Sequence, residues 1–331
     1  MKWILSLPLV FLVNAAQAQV PVIKIDGSST VFPITEAVSE EFQISKSGKV
    51  RVTVGISGTG GGFKKFCRGE IDVQNASRPI QEKEIENCRK AGIKFLEIPI
   101  AFDATAVVVN PKNTWAKQIT VAELKKMWEP AAQGKIVNWS DVNPAWPKEK
   151  IKLYGAGSDS GTFDYFTEAI VGKSKSSRGD YTASEDDNTL VTGVSKDVNA
   201  LGYIPMAYYE ENKSKIKALP VVGGPKAPGK DKAIYPSRET VENGTYYPLS
   251  RPVFIYVSET SMKKPEIKEF VDFYVKNSAT LVPEVKYVPL PAAAYQESLK
   301  NIKANKLGTV FGGHSEVGLK IDELMKRERS L

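Results

Sequence analysis

Three stretches of the chain share one chemical provision: an apolar run, a turn made of Gly, Ser and Thr, and then a segment with helical spacing. They are IDGSST before VFPITEA (25–37), VGISGTGG before GFKKF (54–66) and LYGAGSDSGT before FDYFTEA (153–169). A helix start leaves backbone N–H groups unpaired and carries about half a positive charge. Glycine lets a ligand approach the backbone, and Ser and Thr hydroxyls are donors that rotate to fit. One such turn is an ordinary capped helix. Three that converge make a cup of donors for an oxyanion. The candidates are Ser29 and Thr30 in the first turn, Thr59 and Gly60 in the second, and Ser160, Gly161 and Thr162 in the third. Ser77 and Arg78, in NASRPI, add a hydroxyl and a permanent cation whose guanidinium can give a phosphate two parallel hydrogen bonds. The alternative for Arg78 is a surface salt bridge.

The elements that must position these turns alternate between strand and helix. Strands are expected at 22–27, 50–56, 71–77, 95–102, 105–110, 151–157 and 251–258. Helices are expected at 33–43, 63–69, 83–92, 120–130, 163–172 and 266–277, and ALGYIPMAYY (200–209) reads as a strand and turn. This order argues for an α/β architecture with a largely parallel sheet. Asn110-Pro111 closes a first block, and a second runs to about residue 250. GGPKAPGKDK (223–232) is a solvent-facing loop, and the charged tail DELMKRERSL is a surface helix. No period of repeat-protein length is present.

The chain has 331 residues, 45 Lys+Arg against 38 Asp+Glu, and 42% hydrophobic residues, which excludes a disordered or disulfide-dense mini-scaffold. Its basic residues are scattered and not interleaved with aromatics, so nucleic acid is not an expected partner. A single His and no clustered ligands leave no metal site or cofactor to expect. Met1-Lys2, the apolar run 3–13 and Ala16-Gln17-Ala18 have the form of a secretory signal peptide cut after Ala18. The run is shorter than the roughly 20 apolar residues of a membrane span. Export to an oxidising compartment favours a disulfide between Cys67 and Cys88, the only two cysteines.

GSSTVFP, SGTGGGFKKFC, ASRPI, SDSGTFDYF, ALGYIPMAYY and YPLSRPVFIYV, in this order across the mature chain, resemble the PstS family. These are the substrate-binding proteins of the ABC phosphate importer, and the cyanobacterial-type subgroup that includes SphX is most similar. The resemblance implies a periplasmic monomer with the two-lobed periplasmic-binding-protein fold of type II. Each lobe would be a mostly parallel sheet flanked by helices, with crossing strands between them and inorganic phosphate in the cleft. Residues 19–109 and 252–331 would form one lobe and 110–251 the other. The partner would be an ABC permease in the inner membrane. Thr59 matches the family's ligand hydroxyl in the second turn, and Ser160, Gly161 and Thr162 match its Ser-Gly-Thr. This chain departs from the enteric-type receptors in two places: Arg78 stands where they carry Asp, and Ala156 where an Arg precedes the Ser-Gly-Thr. The carboxylate that accepts the phosphate proton is therefore unplaced, with Asp103 and Asp159 as candidates. Such an acceptor repels unprotonated sulfate.

Other readings stay open. A donor-only cup would suit sulfate, molybdate, tungstate or arsenate, and a phosphate scavenger or sensor uncoupled from transport would share the whole site. SDSG (158–161) nearly reproduces a serine-protease motif, but the one His, in GGH (312–314), has no evident orienting partner. A phosphatase would want clustered metal ligands. GKS (172–174) lacks the upstream Gly of a nucleotide phosphate loop. No enzymatic activity is expected.

Overall fold

The computed structural model describes residues 20–330, and the secretory segment expected over 1–18 lies outside them. Strand β1 (Val22–Gly27) pairs in parallel with β2 (Arg51–Val54) and β3 (Val73–Ala76). Helix α1 (Phe32–Ser45) takes Pro33 in its first turn, where a missing N–H leaves no bond unmade, and buries Ile34, Val38 and Phe42 along one face. The second helix, α2 (Gly58–Phe66), starts earlier than the expected 63–69, so SGTGGG is itself the opening of the helix. Glycine is required there by close approach rather than flexibility. A Cβ on Gly62 would lie 2.0 Å from Gln74 Oε1 and 2.7 Å from Gly27 Cα. The bare helix face therefore seats α2 directly on β1 and β3.

Helix α3 (Glu82–Lys90) begins with a Gln81–Glu84 capping box and is joined to the end of α2 by the Cys67–Cys88 disulfide. Strand β4 (Phe95–Val109) is buried along its whole length. The sequence suggested two strands broken near Asp103. The strand runs through because Asp103 meets a countercharge, Arg251, directly opposite on its antiparallel neighbour.

The chain continues through β5 (Lys152–Ala156), α4 (Gly161–Phe166, extended by a π-turn to Val171), β6 (Thr182–Ser184), α5 (Asp187–Lys196) and β7 (Ala200–Pro205). The segment after β7, read from sequence as a turn, is a short helix, Met206–Glu211. Strand β8 (Ser250–Ser258) and the long helix α6 (Pro265–Glu284) follow, and α7 (Ile321–Ser330) packs Ile321, Leu324 and Glu328 inward.

The main sheet has the order β2-β1-β3-β8-β4-β7-β5-β6, with two further short strands on β4. The pairs at each end are parallel, whereas β8 is antiparallel to both β3 and β4, and β7 to β4. Two parallel α/β units are thus joined through long antiparallel strands, giving a two-lobed fold. Aromatic clusters back the helices that carry the turns. Phe63 of α2 packs edge-on against Tyr256 at 5.0 Å, and Phe166 of α4 stacks on Tyr203 at 3.9 Å. No helix among the described residues is long and apolar enough to cross a membrane.

Candidate anion-binding site

The three turns and the Ser77–Arg78 corner meet in one place, and every one of the nine candidates there is buried: Ser29, Thr30, Thr59, Gly60, Ser77, Arg78, Ser160, Gly161 and Thr162. Thr59 Oγ1 accepts from Ser77 N at 3.1 Å and lies 3.2 Å from Ser77 Oγ. Thr30 Oγ1 and Thr162 Oγ1 are 3.0 Å apart. Gly60 N donates to Asp159 O at 2.8 Å, joining α2 to the turn before α4. A Cβ on Gly161 would stand 2.5 Å from both Ser77 Oγ and Thr59 Oγ1. The first turn is held from behind by Tyr208, whose hydroxyl donates to Ser29 O at 3.3 Å, and by Tyr287, which donates to Thr30 O.

Several of these hydroxyl oxygens already receive an N–H. Thr59 Oγ1 takes one from Ser77, Ser160 Oγ takes one from Thr162 N at 3.1 Å, and Thr162 Oγ1 takes one from Arg251 at 2.7 Å. Each hydroxyl hydrogen must turn away from its own incoming N–H and is left to be donated. The cluster is thereby biased toward donation, the property an oxyanion needs.

Arg78 is buried, but it is already engaged by carboxylates. Its Nε donates to Asp164 at 2.6 Å, and Nη1 and Nη2 each donate to Glu84 at 2.8 Å. Burial alone would lower its pKa, yet Glu84 and then Asp164 outweigh that and hold it above the ordinary value. Burial raises the Asp164 carboxyl in spite of the Arg78 charge beside it. Lys175 approaches the other Asp164 oxygen at 3.8 Å.

The two candidate proton acceptors have separate surroundings. Asp159 is partly exposed at the rim and paired with Lys64 at 3.0 Å. Asp103 is buried behind the third turn, 3.3 Å from Arg251 Nη2, and its Oδ1 has no hydrogen-bond partner. Burial pushes its carboxyl up to about 6 even though Arg251 opposes the shift.

Arg251, Asp164 and Glu84 were not singled out from the sequence. For Arg251 a signal existed: two strongly apolar stretches carry buried charges of opposite sign, Asp103 in FDATAV and Arg251 in LSRPVF. The one His, His314, is exposed and takes no part in the Ser160 hydrogen bonds. Among the described residues, no group of three or more His, Cys, Asp or Glu could hold a metal ion.

A family model described as a PBP superfamily domain matches residues 13–278. Protein SphX of Synechococcus elongatus is 53% identical over 318 residues, covering 96% of this chain and 92% of its own. The phosphate-binding protein PstS of Staphylococcus saprophyticus is 36% identical over 298 residues, covering 89% of this chain and 86% of its own. The crystal structure of a possible phosphate binding protein from Planctomyces limnophilus superposes with a TM-score of 0.64 at 47% identity, over 87% of this chain and 100% of that one. The chain belongs to the PBP superfamily and, within it, to the family of SphX and the PstS proteins.

Proposed function

We propose that this protein is an exported, periplasmic receptor that binds inorganic phosphate between its lobes and delivers it, as a monomer, to an ABC import permease. The observation that carries the reading is the meeting of Thr30, Thr59, Ser77 and Thr162, from four separate chain segments, within hydrogen-bonding distance in two pairs. In a chain of this family such a cluster is a ready cup for one small tetrahedral anion. Ser29, Gly60, Ser160 and Gly161 complete its wall, with Arg78, held by Asp164 and Glu84, beside Gly60. The lobes of this reading are residues 19–109 with 252–331, and 110–251.

Hydrogen bonds to a charged group contribute about 1.5–3 kcal/mol each. Six of them, less the cost of ordering and closure, leave about 8 kcal/mol, or micromolar affinity. Asp103 is the better placed proton acceptor, since its free Oδ1 is buried beside the third turn, whereas Asp159 is committed to Lys64. The reading involves no catalysis: among the described residues no base hydrogen-bonds to Ser160, whose oxygen is an N-cap for the helix behind it.

Titration calorimetry with phosphate tests the proposal. Saturable binding of one phosphate per chain is expected, and no heat at millimolar phosphate overturns it. Sulfate is the second reading, favoured by the donor bias of the hydroxyls. Competition at pH 5 to 9 separates the two, because an ionised Asp103 makes phosphate win above about pH 6, an advantage that shrinks toward pH 5 as Asp103 takes up its own proton.

A further inference from the structure

We infer that Arg251 is a positioning residue of the anion site: one guanidinium sets the direction of two hydroxyls in the third turn and fastens that turn to the long central strands. The inference rests on the anion-binding reading above and adds to it a residue outside the Gly/Ser/Thr turns.

Arg251 is 1% exposed, yet its donors are spent very differently from those of the other buried arginines. Arg178 gives its fork to Asp180 and its remaining bonds to the carbonyls of Met127 and Ile136, which holds a loop together. Arg78 is wrapped by Asp164 and Glu84. Arg251 instead reaches from β8 into the third turn, where Nη1 donates to Gly161 O and Nη2 to Thr162 Oγ1, both at 2.7 Å. Its Nε is buried without a partner. The side chain is steadied at its root by Asp103, its cross-strand partner on β4, and by the Tyr165 ring, 5.2 Å from the guanidinium carbon.

Two consequences follow from the fact that a guanidinium only donates. The hydrogen of Thr162 Oγ1 cannot point at Arg251, so it is left for an incoming anion or for Thr30 Oγ1, 3.0 Å away. The second path runs through the peptide between Gly161 and Thr162. A charged donor on Gly161 O polarises that peptide and strengthens the Thr162 N–H, which donates to Ser160 Oγ at 3.1 Å. The Ser160 hydrogen is in turn left free to donate. Both hydroxyls are thus prepared to meet unprotonated oxygens of an anion, and the preparation comes from a strand rather than from the turn itself.

The test is a double-mutant cycle on the full chain, read by calorimetry with inorganic phosphate. Thr162→Val and Arg251→Met are each expected to weaken binding by about tenfold or more, the loss of one bond to a charged group. Because Arg251 acts through Thr162, the double variant is expected to be no more than about threefold weaker than the worse single one. Arg251→Lys, which keeps a charged donor but not the fork, is expected to recover part of the loss. A double variant whose loss is the full product of the single losses overturns the inference, as does Arg251→Met binding like the parent. If Arg251→Met alone does not fold, because Asp103 is left unpaired, the whole cycle is run in an Asp103→Asn background and every affinity is compared with that of Asp103→Asn itself. A parent chain that binds no phosphate sinks the anion-binding reading itself, whereas a binding parent with independent losses sinks only the role of Arg251.

Discussion

Thr30 and Thr162 stand 132 positions apart in the chain and hold their hydroxyl oxygens 3.0 Å apart in the fold. One lies in the turn between β1 and α1 and the other in the first turn of the helix after β5, so the pair joins the two parallel units at their strand ends. That is where α/β sheets bind ligands, because strand ends leave a crevice lined by loops and helix starts.

Replacing a hydroxyl without changing shape tests the cup most directly. Thr30→Val and Thr59→Val are each expected to weaken phosphate binding by about tenfold or more, the value of one hydrogen bond to a charged group. Calorimetry measures the loss, and an unchanged melting temperature shows that the fold is kept. Affinities equal to the parent would move these hydroxyls out of the site.

Gly161 gives a steric test. An added Cβ would lie 2.5 Å from both Thr59 Oγ1 and Ser77 Oγ, too close for the third turn to meet the second. Gly161→Ala is expected to abolish phosphate binding, and the chain is expected not to compact on phosphate addition in small-angle scattering. Full compaction with parent affinity would show that the turns meet elsewhere.

The Cys67–Cys88 bond closes a loop with a sequence separation of 21. In the chain-entropy model this stabilises the fold by about 3 kcal/mol. Urea denaturation of the reduced chain or of Cys67→Ser/Cys88→Ser is expected to show a loss of that order. Phosphate affinity is expected to change little, since the bond joins the far end of α2 to α3.

Buried carboxyls give the stability a direction in pH. Burial pushes the Glu97 carboxyl up to about 7, against hydrogen bonds from Thr309, Tyr256 and Val310, and that of Glu328 up to about 8, with Glu97 adding to the rise. Both are raised from an ordinary value of 4.5. Between that value and the raised ones the folded chain holds protons that the unfolded chain has released, so stability falls as pH climbs through this window and levels off above it. More urea is expected to be needed at pH 5 than at pH 8, and Glu97→Gln is expected to flatten the difference. A chain more stable at pH 8 would contradict the burial of these groups.

The parts of the site legible in the sequence are those encoded locally. A Ser-Gly-Thr or Gly-Thr-Gly run carries its turn, its donors and its helix start within a few residues, and the cysteines had one possible pairing. Arg251 escaped, and with it the pairing of Asp103, because their meeting depends on the register of two strands 148 positions apart. The early start of α2 escaped for a different reason. Glycine disfavours helix in isolation, and only the close seating of Gly62 on Gln74 and Gly27 makes a glycine helix the better solution. That β4 is one strand is not legible locally, since an unpaired Asp would not stay in such a core and the partner of Asp103 lies on β8.

Strand β4 pairs with β8 through the residues up to Ala104 and with β7 from Thr105 onward. One stretch of backbone is therefore a member of both halves of the molecule, and neither half can be cut away without stripping the other of a neighbour. A fragment ending before Phe95 or starting after Val109 would expose bare sheet edges, a surface prone to self-association. The two halves must be made, melted and inherited as a single piece.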